Sequence, residues 1–147
     1  MKKTFRKKLK AFIPYFFVII AFCCLSYLLV YQASFLPNGY EIMSGQKNEL
    51  TITSFSLIGK EKTIQTIEFS KQDEWKLEEI EGAVKRQKDA LLLLYTALGV
   101  SFTLIIMRVR TGMHVRKAIS QSNLIFAILI PLVPLVSAWH RIQSLIV

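Results

Sequence analysis

Three uncharged apolar runs leave this chain few folds: Ala11–Tyr31, Ala90–Met107 and Asn123–Trp139, of 21, 18 and 17 residues. A helix of about 20 residues is roughly 30 Å long, the thickness of a bilayer's hydrocarbon core. The first run spans outright, and the second does so with help from snorkelling flanks. The third run is the shortest, and its span is placed at 121–139. Pro131 and Pro134 interrupt it, and Ala118 and Ile119 are available to begin its helix. Hydrocarbon offers the backbone no partner outside its own segment, so all three runs are predicted to be transmembrane helices.

The 147 residues are 52% hydrophobic and carry a formal net charge of +9. Taken whole, that charge fits either a nucleic-acid binder with a greasy core or a membrane protein with its charges at the bilayer edges. Dividing it by segment decides between them. Residues 1–10 hold six basic residues, and the 108–120 loop holds four, with no acid in either. The stretch 32–89 holds eight basic residues and all ten acids, net −2, and Arg141 stands alone near the end. Acid-free basic segments beside spans belong on the cytoplasmic side. The expected topology therefore has the tail 1–10 inside, spans at 11–31, 90–107 and 121–139, residues 32–89 exported, the 108–120 loop inside, and 140–147 as a short exported tail. Phe12, Tyr15, Phe16 and Phe17 at one end, with Tyr27, Tyr31 and Trp139 at the other, match interfacial aromatic belts. The basic clusters thus read as topology and lipid attraction, with no nucleic acid as partner.

A basic start before an apolar run also describes a secretory signal. The run here exceeds the 7–15 residues of a signal core. Its exit at Tyr31-Gln32-Ala33 puts a bulky Tyr where cleavage needs a small residue. An uncleaved anchor in a bacterial inner membrane is expected.

Within 32–89, Pro37-Asn38-Gly39 marks a turn. Leu50–Ile58 and Thr63–Phe69, joined by Gly59-Lys60-Glu61-Lys62, read as a β-hairpin. Ser70 followed by Asp73 is a capping-box signal for a helix start. Trp75, Ile80, Val84 and Leu91 continue at helical spacing, so one helix is predicted from Gln72 through the second span, with Gly82 as the place for a bend. The fold class is a mainly α membrane protein: three transmembrane helices with a small exported α+β segment, a hairpin plus a helix continuous with the second span. A hairpin alone is marginal, so it is expected to pack around Trp75, Leu77 and Ile80 or to dock on a partner.

Chemistry-bearing patterns are missing from the sequence. No glycine-rich phosphate loop, zinc-type histidine motif or nucleophile elbow occurs. Cys23 and Cys24 read as small apolar fillers of one helix, and His114 and His140 are expected on opposite membrane faces. Glu78, Glu79 and Glu81, with Lys76, Lys85, Arg86 and Lys88 nearby, read as a solvated helix face. Neither a catalytic residue, a metal site nor a cofactor is predicted. Uncharged spans also disfavour an ion-coupled carrier. Ala97 and Ser101 form a small-xxx-small pair suited to close helix contact.

The expected function is that of a non-enzymatic accessory or regulatory membrane protein. It would bind another membrane protein through the exported segment and the spans, with Trp75, Ile80, Ala97 and Ser101 as candidate contacts. An immunity or exclusion protein fits the same features. The alternative is a holin-like, pore-forming homo-oligomer, against which the sizeable exported segment argues.

Overall fold

The computed structural model describes residues 2–46 and 48–147 and is mainly helical, with one small sheet. Helix α1 covers Lys2–Tyr27. Strands β1 (Tyr40–Gln46), β2 (Glu49–Phe55) and β3 (Glu61–Glu68) follow, and then α2 (Glu74–Arg110), α3 (Val115–Gln121) and α4 (Leu124–Ile146). Three helical stretches, Phe12–Gln32, Lys71–Arg110 and Leu124–Ile146, are long and apolar enough to cross a membrane.

The sheet is a three-stranded antiparallel meander in the order β1-β2-β3, where the sequence predicts only a hairpin. The hairpin itself is present, with Leu50 opposite Ile67 and Ile52 opposite Gln65. Its turn, 56–60, starts three residues and ends two residues earlier than expected. Leu57 and Ile58, read as the end of a strand, sit in the turn, and β3 starts at Glu61. The strand missed by sequence reading, β1, follows directly on the Pro37-Asn38-Gly39 turn and is bulged between Ile42 and Ser44.

Helix α2 confirms the uninterrupted run from the polar stretch into the second apolar block. It continues through Gly82, whose carbonyl accepts a bond from the Arg86 side chain. Its entry differs in detail from a capping box. Lys71–Asp73 form a 3₁₀ turn, and the Ser70 hydroxyl bonds the Asp73 carboxylate at 3.1 Å instead of a backbone N–H. That hydroxyl and, more strongly, Lys76 hold the Asp73 carboxyl below its ordinary pKa. The helix ends in a Schellman motif: Met113 N–H bonds Arg108 O, Gly112 N–H bonds Val109 O, and Gly112 takes the left-handed conformation at φ 89°.

Two expectations for the third span are corrected. Ala118 and Ile119 belong to the separate helix α3, because Asn123 at φ 54° breaks the chain before α4 begins. At the other end, α4 passes Trp139 and runs to Ile146, so 140–147 is largely helix rather than a loose tail. Helix α4 also carries Pro131 and Pro134 internally. Each removes a backbone bond, a loss that tight neighbouring helices make tolerable.

Two apolar clusters hold the parts together. In one, Leu50 and Ile52 of β2 meet Phe69, then Ile80, Ala83 and Val84 of α2 and Ile142 of α4. In the other, Val30, Leu36 and Phe55 meet Ala90, Leu91 and Leu135. Ile142 is fully buried where the last turns of α4 cover the sheet. Replacing it with Ala is expected to lower unfolding stability by about 2–5 kcal/mol, read from the shift of a denaturation midpoint in detergent.

Candidate functional site

A sheet offers partners its edges, and the two edges here are treated differently. The β1 edge is capped by α2 at its start, at Tyr40 and Glu41, while Met43–Gln46 stay exposed. Gln87, fully buried, accepts a hydrogen bond from the Tyr40 backbone N–H and donates one to the Tyr40 carbonyl, both at 3.0 Å. One side-chain amide thus takes the place of a neighbouring strand's peptide group. Such closeness needs a glycine beside it, since a Cβ on Gly39 would lie 2.8 Å from Gln87 Nε2. Next to the clamp, Lys88 pairs with Glu41 at 2.7 Å with both side chains only 15% exposed, and its ammonium lies 5.5 Å from the centre of the Tyr31 ring. The Tyr31 hydroxyl in turn donates to Asp89 at 2.7 Å. Tyr31 reaches Asp89 from a π-helical turn, Leu28–Gln32, that ends the first apolar helix.

The β3 edge is open. Seven of its eight residues are exposed, and Ile64 at 59% is the most accessible apolar one among those the strand presents. On the same strand Thr66 makes a hydroxyl contact to Thr51 of β2 at 3.2 Å. An unpaired strand of this length is a template for an added strand unless something covers it.

The turn joining β2 and β3 carries the most exposed interior apolar pair of the chain, Leu57 at 77% and Ile58 at 73%. It is a built turn. Ser56 N–H bonds Lys60 O at 2.7 Å, Gly59 N–H bonds Ser56 O at 2.9 Å, and the Ser56 carbonyl also accepts from Asn38. Gly59 has φ 74°, and a Cβ there would sit 2.7 Å from the Phe35 ring. Phe35 leans on Tyr95 of α2, with ring centres 6.2 Å apart and the Tyr95 hydroxyl directed at the Phe35 carbonyl. A Gly59→Val substitution combines a left-handed backbone cost of roughly 1–2 kcal/mol with this overlap. It is expected to make the 56–60 turn the first site of limited proteolysis.

On the opposite side, Arg141 of α4 donates from Nε to Glu79 of α2 at 2.7 Å. The pair lines a cavity of about 780 Å³ between the two helices, together with Arg86, Pro134 and His140. His114 lies far from it in sequence, at the start of α3. Cys23 and Cys24 are both free thiols on the outward surface of α1.

The four residues singled out from sequence have separate fates. Trp75 stays 54% exposed instead of packing under the sheet, and its ring carries the Lys76 ammonium at 5.7 Å. Ile80 is fully buried beneath the sheet, so its contacts are internal. Ser101 is also buried, and Ala97 is half-buried. A close α1–α2 contact uses another small residue. At Gly99 a Cβ would come within 2.1 Å of the Phe22 ring of α1. Gln87 and Gly99 are the positions sequence reading passed over. Gln87 had a signal, because it falls on the buried stripe Ile80, Ala83, Val84, Gln87, Ala90, Leu91 at helical spacing.

No known protein family, curated protein or solved structure matches this chain.

Proposed function

We propose that this chain is a non-enzymatic accessory or regulatory protein of a bacterial inner membrane, crossing it three times and binding another membrane protein through the open β3 edge. In this reading the N-terminus and the 108–120 loop face the cytoplasm, and the sheet lies on the outer face. The asymmetry of the sheet carries the proposal: the β1 edge is capped at Tyr40 by a buried side-chain clamp, while among the described residues the eight-residue β3 edge carries no such cap. The distribution of charge supports the orientation, with ten basic residues and no acid in the two segments assigned to the cytoplasm. Immunity or exclusion at the membrane is a function of this kind, since blocking a toxin or an incoming element requires binding alone.

The test is crosslinking in cells followed by recovery in mild detergent, with photoreactive residues at Ile64 on β3 and at Trp75. One stoichiometric membrane partner, lost when Thr66→Lys places a charge on the edge strand, is the expected result. Recovery of lipid and chaperones alone would sink the idea. Induced expression tests the pore-forming alternative, for which a rapid loss of membrane potential would be diagnostic.

A further inference from the structure

We propose that the β2–β3 turn is a membrane-inserting tip that seats Leu57 and Ile58 among the lipids of the leaflet facing the sheet. This rests on the spanning orientation given above but adds a contact that orientation does not require.

The geometry starts with the direction of the sheet. Strand β2 shares two apolar clusters with α2. Leu50 and Ile52 lie against Ile80, Ala83 and Val84, while Phe55 lies against Ala90 and Leu91, where the uncharged run begins. The chain therefore travels toward the apolar part of α2 as it passes from Glu49 to Phe55, and the turn lies beyond Phe55. Its depth is marked by a second contact. Gly59 abuts the Phe35 ring, and Phe35 rests on Tyr95. Tyr95 stands five positions past Ala90, or roughly 7 Å further along the helix. If Ala90 marks the hydrocarbon boundary, the turn reaches the level of the headgroups and upper acyl chains, where amphipathic surface elements bury apolar side chains by about 5–10 Å.

The chemistry of the turn matches that level. Its outermost residues are Leu57 and Ile58, the two most exposed large apolar side chains apart from the chain terminus. Lys60, Glu61 and Lys62 follow at once, all exposed. Two aliphatic side chains followed by a Lys-Glu-Lys run of net +1 suit a lipid surface with anionic headgroups. The hydrogen bonds from Asn38, Gly59 and Ser56 fix the turn, so the apolar pair is held out rather than folded back.

The experiment uses the full chain, purified and reconstituted into vesicles containing anionic phospholipid, with Cys23 and Cys24 replaced by Ala. An environment-sensitive fluorophore is attached in turn to Leu57→Cys, Leu93→Cys and Lys71→Cys. Residue 93 reports on an outward position of α2 within the second apolar run, and 71 on the far end of the polar stretch. The expected result is a blue-shifted probe at 57 that loses most of its emission to a quencher carried high on the acyl chains. The probe at 71 should respond only to aqueous iodide. A probe at 57 quenched by iodide while that at 93 is quenched by lipid overturns the inserted tip and leaves the spanning reading standing. Aqueous quenching at both 57 and 93 overturns both. A probe at 57 shielded from both quenchers also overturns the tip, because protein would then cover it.

Discussion

Replacing Gln87 with Leu is expected to release the sheet from α2 with a loss of about 2–5 kcal/mol. Leu occupies similar space, so packing changes little, but it can neither accept from the Tyr40 N–H nor donate to the Tyr40 carbonyl. Both groups lie against a fully buried side chain, and each stranded backbone group costs about 1–3 kcal/mol. The energy is concentrated on one small unit, so the expected outcome is local opening of residues 40–68 before the helices separate. Amide exchange is the direct readout. Protection at Tyr40 and along β1 should collapse, while that of Leu91–Ile105 in α2 stays high. Equal loss of protection in both would mean that the clamp holds the whole fold and not only the sheet.

The second large effect is expected at Gly99. The Phe22 ring lies where a side chain would begin, 2.1 Å from an ideal Cβ. A Val at this position must push α1 away or expel the ring. Gly in a helix interior is itself about 1 kcal/mol worse than Ala, so a substitution free of collision would stabilise α2. Overpacking costs typically 1–3 kcal/mol, and here the overlap involves the ring and not the tip of a flexible chain, so collision wins. Gly99→Val is expected to destabilise by about 1–2 kcal/mol net of the helix-propensity gain. Combining it with Phe22→Ala should recover most of that loss. The double-mutant cycle measures the coupling, and additive losses would show that Phe22 and Gly99 do not meet.

The parts of this fold legible in the sequence are those governed by long-range hydrophobic periodicity. The apolar runs and the helix entering the second of them are such features, and so is the Leu50–Phe69 hairpin with its β-branched residues. What stayed hidden depends on contacts between segments distant in sequence. Strand β1, Tyr-Glu-Ile-Met-Ser-Gly-Gln, has little alternation, and a bulge at Met43 breaks what there is. It is a strand because β2 pairs with one side and Gln87 caps the start of the other. The end of α4 was read as a tail because His140 and Arg141 end the apolar run. Yet Ile142, Leu145 and Ile146 share one stripe, and that stripe packs on the sheet cluster. A helix that passes from an apolar run to a one-sided apolar stripe changes period, and hydropathy averaging erases the change. The break at Asn123 is a single left-handed residue, carried by a side chain that tolerates that conformation.

For the candidate surface, sequence names Trp75 both as a partner contact and as a residue for the hairpin to pack on, and in the fold it is 54% exposed. Sequence also misses that Leu57 and Ile58 form the turn. Both misreadings arise because residues suited to a strand or a core were assigned there by type alone. In the fold the Gly59 conformation sets the turn early. That shift converts two core candidates into the most exposed aliphatic pair of the sheet.

The proposed orientation and the exported partner surface depend on the sheet standing on the outer face of the membrane, and this is directly measurable. With Cys23 and Cys24 replaced by Ala, single cysteines are introduced at Lys71, beside the sheet, and at Arg116, in the basic loop; both positions are exposed. Intact cells are treated with a membrane-impermeant maleimide before and after lysis. Labelling of Lys71→Cys in intact cells, with Arg116→Cys labelled only after lysis, is the predicted result. The reverse pattern would put the sheet in the cytoplasm and contradict the proposed orientation and the exported partner surface, while the lipid contact, argued from depth along α2, would fall on the other leaflet.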